Sequence, residues 1–304
     1  MILIITHKDD YTVDYVINKL NNNNIPYIRL NCEDIPKYKF SVDDSLNFNI
    51  NGVSKFKSVW FRRTKLSDFS QFPVDEQEFL LSEYDSFLKN LFNIIDTEKW
   101  LSTPNNIYVA ENKLLQLKFA KAIGFNIPKT LISTNTPAIK EFYNSTKERM
   151  ILKPFWNSRL LINGKTNLLF TNLIDKKDVQ NLDNLHITPV IFQELIDKKI
   201  EFRITIVNNE IFIASVDSQI NAKTKIDWRR ENLQFKKDDL PEEIKSMCFQ
   251  LVNKLGLNFG AIDLIKNTKN EFYFIEINPN GQWVWIETDT GLNISDSIIN
   301  FLNN

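Results

Sequence analysis

Between Gly260 and Asn280, two strand-like segments, GAIDLIK and EFYFIEIN, flank the polar turn at 267–270. This pair constrains the chain more than any other feature. An antiparallel hairpin is the simplest arrangement. If Lys266 pairs with Glu271, Asp263 lies opposite Phe274. Side chains alternate faces along a strand, so Glu276 and Asn278, two and four residues past Phe274, project from the same face as Asp263. Two carboxylates set diagonally about 6 Å apart, at an effective dielectric near 20, repel by roughly 3 kcal/mol unless a proton or cation lies between them. Oxygen donors from Asp, Glu and Asn suit a hard ion, and so few protein ligands suit magnesium that is also held by a nucleotide's phosphates. A solvated hairpin face explains any one of these acids. It explains poorly three such residues in phase, followed by the uncharged Pro279-Asn280-Gly281-Gln282.

Other residues fit the same ligand. Lys153 sits in the short strand MILKPF beside apolar Ile151 and Leu152, where a charge calls for a partner such as phosphate. An edge-strand lysine that snorkels to water is the ordinary alternative. Lys113, opening the helix ENKLLQLKFAKAIG, is unremarkable alone. In VIFQELIDKKIEFRITIV, residues Gln193, Glu194, Leu195 and Ile196 form a strand end passing into a polar break. Such a backbone can offer carbonyl and amide groups to an adenine edge while apolar side chains sandwich the ring. On the next strand Glu201, Arg203 and Thr205 occupy one face, and Ile200, Phe202, Ile204 and Ile206 the other, so this strand lines a cavity or faces water.

The rest of the chain reads as mixed α/β. ILIIT at 2–6 is a strand, and Val13, Val16, Ile17 and Leu20 mark a helix after it; IPYIRL, FNI and SVWFRR add strands around an Asn51-Gly52 turn. Phe79, Leu80, Tyr84, Phe87, Leu88, Leu91, Phe92 and Ile95 repeat at three- and four-residue steps, which predicts a long helix over 74–95 that packs partly in the core. Ser102-Thr103-Pro104 closes this region, and Ala110 to Ile123 reads as a helix capped by Gly124. The division is expected near residues 105 and 187: an N-terminal α/β unit (1–105, with the long helix), a central unit (106–186) and a C-terminal unit (187–304). A chain of 304 residues supports two or three such units.

Lys and Arg number 37 against 38 Asp and Glu, a net charge of 37 − 38 = −1. That balance gives no general attraction to nucleic acid or an acidic membrane. Cys32 and Cys248 are too few for a disulfide framework or a structural zinc site, which favours a reducing cytoplasm. The N-terminal apolar run is too short for a signal segment, and no stretch approaches the ~20 apolar residues that span a bilayer. Glycine loops of the dinucleotide and Walker types, H-E-x-x-H and G-x-S-x-G are all missing. The only histidines, His7 and His186, read as incidental loop residues.

The order Lys113, Lys153, the 193–196 hinge, Arg203 and Asp263/Glu276/Asn278 resembles the ATP-grasp superfamily. Within it, MILIITHKDDYTVDYVI, VWFRR at 59–63, NKLLQLKFAKAIGFNIPKTLIS at 112–133 and INPNGQWVW at 277–285 are similar to graspetide (microviridin-type) peptide ligases. The maturases of grasp-with-spasm and chryseoviridin-like clusters are most alike. The resemblance covers nearly the full chain, and its strength lies in the combination and order of these pieces.

The resemblance implies an ATP-grasp fold with an N-terminal pre-ATP-grasp α/β domain, a central domain and a C-terminal antiparallel-sheet domain. It also implies an ATP- and Mg2+-dependent ligase that phosphorylates core Glu or Asp side chains of a leader-bearing precursor peptide. These are then joined to Ser or Thr hydroxyls as ω-esters, or to Lys amines as ω-amides. On that basis Lys113 and Lys153 would hold phosphates; Glu194 and Ile196, within the 193–196 hinge, the adenine end; and Asp263, Glu276 and Asn278 magnesium. Arg203 would stabilise charge on the transferred phosphoryl group, and Lys198 matches a basic position after the hinge. Glu201 is expected to orient substrate or accept a proton. For Arg62 and Arg63 a substrate-facing role and a structural ion pair are both open.

Many ATP-grasp proteins cover the triphosphate with a loop of several glycines, whereas the matching segment here, Trp156 to Thr166, has only Gly164. The family's leader-binding side includes the long-helix region and the neighbouring central hairpin, and a homodimer is implied by the resemblance alone. The alternatives are an ATP-grasp ligase that adds free amino acids to a protein or peptide carboxylate, and a nucleotide-binding protein without catalysis.

Overall fold

The continuous apolar run Ile2–Thr6 becomes the fully buried central strand of a three-stranded parallel sheet, flanked by Tyr27–Asn31 and Ser58–Phe61. The structure, a computed structural model, describes residues 1–155, 159–162, 165–168, 170–182 and 188–304. Asp10 caps the helix Tyr11–Asn22, its carboxylate accepting the Thr12 and Val13 amides, while Val13, Val16 and Leu20 turn inward. A cap of this kind is worth about 1 kcal/mol.

The long helix spans Val74–Asn93, and only its second half is buried. Leu88, Leu91 and Phe92 join a core with Leu3, Ile5 and Phe61, but Phe79 is 65% exposed. The three- and four-residue repeat marks one face without saying how far the neighbouring sheet extends beneath it. Two boundaries also differ from expectation. Thr103 and Pro104 open the helix Pro104–Ala110 instead of closing the preceding region, and the next helix is Lys113–Ile123, begun by an Asn112 side chain that accepts the Leu115 amide. Asparagine competes for backbone donors and breaks what apolar spacing alone reads as one helix. Gly124, at φ +113°, ends it in the left-handed conformation as expected.

Two antiparallel sheets hold most of the remaining strands. Four strands run in the order Asn172–Ile174, Met150–Lys153, Val190–Glu194, Thr130–Ser133, and five run in the order Lys236–Lys237, Glu210–Val216, Lys198–Val207, Phe259–Asn267, Phe272–Asn278. The strands Arg159–Ile162 and Lys165–Leu168 pair with each other, antiparallel. The remainder of the 156–166 cover, with Gly164, lies outside the described residues, as does His186. The smaller sheet has its own core around Met150, Ile174 and Phe192, while the five-stranded sheet shares the large core that reaches the N-terminal sheet.

Candidate functional site

The register at the C-terminal hairpin differs from the sequence expectation. Lys266 pairs with Phe272, not Glu271, and a bulge that leaves Ile275 unpaired places Asp263 directly opposite Glu276. The two changes add, so the carboxylates are direct cross-strand neighbours instead of diagonal ones. They still share a face with Asn278, because a bulge adds one residue and re-aims those beyond it.

Each carboxylate carries a cation. Arg203, opposite Asp263 on the adjoining strand, donates from Nη1 to both Asp263 oxygens at 2.9 and 3.0 Å and from Nη2 to the Gln282 carbonyl at 3.1 Å. Lys113 Nζ lies 2.7 Å from Glu276 Oε2, and the Asn278 amide donates to Glu276 Oε1 at 3.2 Å. Burial opposes ionisation of Glu276, yet Lys113 and Lys153 pull its carboxyl well below the ordinary range. Burial pushes the Asp263 carboxyl up, against the pull of Arg203 and with the repulsion of Glu276. Burial also brings the Lys153 ammonium down to about 8.

All the sequence-predicted positions line one cavity of about 950 Å³, which opens between the four-stranded and five-stranded sheets. From the smaller sheet come Lys153 and the 193–196 hinge. There the Gln193 amide donates to Thr130 Oγ1 at 3.0 Å, the Glu194 carboxylate accepts the Lys129 amide at 3.1 Å, and the Leu195 amide donates to the Arg149 carbonyl at 2.9 Å. The Ile196 N–H has no partner among the described residues. From the larger sheet, Lys198 and Glu201 face each other at 3.0 Å, and Lys198 also donates to the Ile226 carbonyl at 2.9 Å. Arg62 is buried, its Nε 3.6 Å from Asp10 Oδ2, and burial lowers its guanidinium to about 10. Arg63 is exposed and donates to the Asn280 carbonyl at 3.2 Å.

Sequence alone does not single out Gln116 and Arg229, which also line this cavity. Gln116, one turn after Lys113, exchanges two hydrogen bonds with Ile277, donating to its carbonyl at 2.8 Å and accepting its amide at 3.2 Å. This clamp fixes Lys113 over Glu276. Arg229 is gripped by Asp227, which raises its pKa, and the negative charges of Glu276 and Asp263 raise it further. Asp227 also accepts the Thr171 amide at 3.0 Å, tying this segment to the smaller sheet. The one available signal was the Asp-Trp-Arg-Arg run at 227–230, in a stretch without periodicity.

The chain matches the RimK-like ATP-grasp domain family over residues 110–302. No curated protein matches it significantly. Among solved structures it is similar to a RiPP-associated ATP-grasp ligase of Chryseobacterium gregarium in complex with ADP and a leader and core peptide, at 29% identity and TM-score 0.89 over 99% of this chain and 96% of that one. It is also similar to the macrocyclase MdnC of Microcystis aeruginosa bound with precursor peptide MdnA, at 28% identity and TM-score 0.89 over 100% and 99% of the two chains. A third is the macrocyclase MdnB of the same organism, at 26% and 0.80 over 99% and 98%.

Proposed function

Because the chain belongs to the RimK-like ATP-grasp domain family, we propose that it is an ATP-dependent ligase that closes rings in a ribosomally made precursor peptide. The observation that carries this reading is one cleft in which Lys113, Lys153 and Arg203 surround the facing carboxylates Asp263 and Glu276. It is supported by similarity along nearly the whole chain to ligases solved with precursor peptides. The reading keeps the divisions near residues 105 and 187, a cytoplasmic setting and a homodimer. No helix among the described residues is long and apolar enough to cross a membrane.

Magnesium fits the donor set. Among the described residues no three His, Cys, Asp or Glu side chains form a metal cage, and two carboxylates with the Asn278 amide are hard oxygen donors suited to an ion shared with phosphates. When bound there, magnesium would neutralise phosphate charge beside Asp263 and Glu276.

In the reaction, a Glu or Asp carboxylate oxygen of the core peptide bonds to the γ-phosphorus of ATP as ADP leaves. A Ser or Thr hydroxyl, or a Lys amine, then attacks the acyl carbon, loses its proton and expels phosphate. A carboxylate is a poor electrophile until it carries such a leaving group, and phosphoryl transfer depends mainly on positioning and positive charge. Lys113 and Lys153 are assigned to the phosphates, the 193–196 hinge and Lys198 to the nucleotide's other end, and Arg203 to charge on the transferred group. Arg229 adds positive charge on the facing wall. Glu201, held by Lys198, orients the nucleophile or takes its proton.

Lys153 sets a pH dependence. Its folded pKa lies near 8, and a bound phosphate favours the charged form, so raising the pH through that value removes the proton that binding needs. Nucleotide affinity should fall above about pH 8 and binding should take up a proton there. Lys153→Arg should flatten the profile, because Arg stays charged. Calorimetry in buffers of different ionisation enthalpy measures this, and an affinity constant from about pH 7 to about pH 10 in the unaltered protein would contradict it.

The function itself is tested by intact mass of the peptide encoded beside the gene after incubation with the protein, ATP and magnesium. Ring closure removes water from the peptide. A gain of amino-acid residue masses when free amino acids are supplied would point to the tailing reaction instead.

A further inference from the structure

Three successive carbonyls after Asn278 are each met by a guanidinium. Arg62 Nη1 and Arg63 Nη2 donate to Asn280 at 3.1 and 3.2 Å, Arg62 Nη1 reaches Gly281 at 3.5 Å, and Arg203 Nη2 donates to Gln282 at 3.1 Å. The helix Tyr11–Asn22 grips the same segment. The Thr12 hydroxyl donates to the Gln282 side chain, and Tyr15 and Lys19 reach the Glu287 carboxylate at 3.0 and 3.1 Å. Positions 12, 15 and 19 share one helix face. A Cβ on Gly281 would lie 2.5 Å from Ala261 Cβ and 2.8 Å from Arg203 Nη2, so this backbone lies directly against the guanidinium.

Arg62 is 1% exposed and Asp10 is 3% exposed. A buried ion pair often stabilises no better than well-packed apolar residues, so stability alone is a weak reason for this one. Asp263 is also assigned to the metal, which leaves the Gln282 carbonyl as the Arg203 partner that is not shared.

We propose that Asp10, Arg62 and Thr12 are positioning residues: Arg62, paired with Asp10, holds the Asn280 and Gly281 carbonyls, Thr12 holds the Gln282 side chain, and the segment so held fixes the Arg203 guanidinium over the cleft. The catalytic consequence rests on the ligase reading above, whereas the structural link does not.

The test uses Thr12→Val, which keeps the shape of a buried residue outside the cleft, together with Asp10→Asn and Gly281→Ala. With peptide, ATP and magnesium, each should lower kcat by about tenfold while the KM for ATP stays within about twofold, since sub-ångström misplacement of a charge-stabilising group acts on the transition state. The unfolding midpoint of Thr12→Val should stay within a few degrees of wild type. Without nucleotide or peptide, the nitrogen-15 Nε resonance of Arg203, identified by its loss in Arg203→Lys, should shift or broaden in Thr12→Val. Full kcat and an unmoved Arg203 resonance in folded Thr12→Val and Gly281→Ala would overturn the inference. Unaltered protein that forms no product would count against the ligase reading, and the resonance would still decide the link.

Discussion

Arg203→Lys should slow ring closure by on the order of 10²–10³-fold while nucleotide affinity stays within about twofold, because a donor aimed at developing charge acts mainly in the transition state. The substitution keeps a positive charge beside Asp263 but loses the fork that joins Asp263 to the Gln282 carbonyl at the same time. Arg203→Met is a poorer test, since removing one partner of a buried pair costs about 3–5 kcal/mol and confuses stability with catalysis. Single-turnover product formation alongside nucleotide binding checks the expectation. A loss confined to nucleotide affinity, with kcat unchanged, would place Arg203 in binding alone.

Glu276→Gln should have the second large effect. It removes an anionic donor and leaves the Lys113 ammonium, now 2.7 Å from a carboxylate oxygen, against a neutral amide. The concentration of magnesium that half-saturates the rate should rise by at least about tenfold, and kcat should fall by on the order of 10²-fold, because neutral oxygen is a far weaker partner for a hard divalent ion. In the unaltered protein the Glu276 carboxyl is held below its ordinary value. Its contribution is therefore present above the unfolded carboxylate range and is lost only as the pH falls through the lower folded value. Mild acidification should thus leave the unaltered site charged and should not imitate the substitution. An unchanged magnesium dependence in Glu276→Gln would remove Glu276 from the metal set.

Much of this cleft was legible because charge interrupts period-two patterns. Glu201 and Arg203 stand out against Phe202 and Ile204, and Asp263 against Ile262 and Leu264, so strand alternation alone aims them at one space. The direct pairing of Asp263 with Glu276 was not legible, because a bulge adds a residue without any compositional mark at Ile275. The break at Asn112 was hidden for a related reason: apolar spacing is nearly continuous from Ala110 to Ile123, and only the cap geometry separates the two helices. Arg229 was missed because its position depends on Asp227, Thr171 and an irregular segment with no period to phase it. Sequence alone leaves Arg62 between two roles, because its partners Asp10 and Asn280 lie 52 residues before and 218 after it in the chain and only the folded topology brings them together.

Coupling of ATP cleavage to bond formation within one peptide fixes a stoichiometry, ADP released against water lost, that can be read in a single experiment. Purified protein, ATP, magnesium and the peptide encoded beside its gene would be followed for ADP released and for peptide mass in the same samples. One ADP is expected for each water lost from the peptide, with both signals absent when the core Glu and Asp residues are replaced by Gln and Asn. ADP release that proceeds with the peptide mass unchanged, or that ignores removal of those carboxylates, would contradict it.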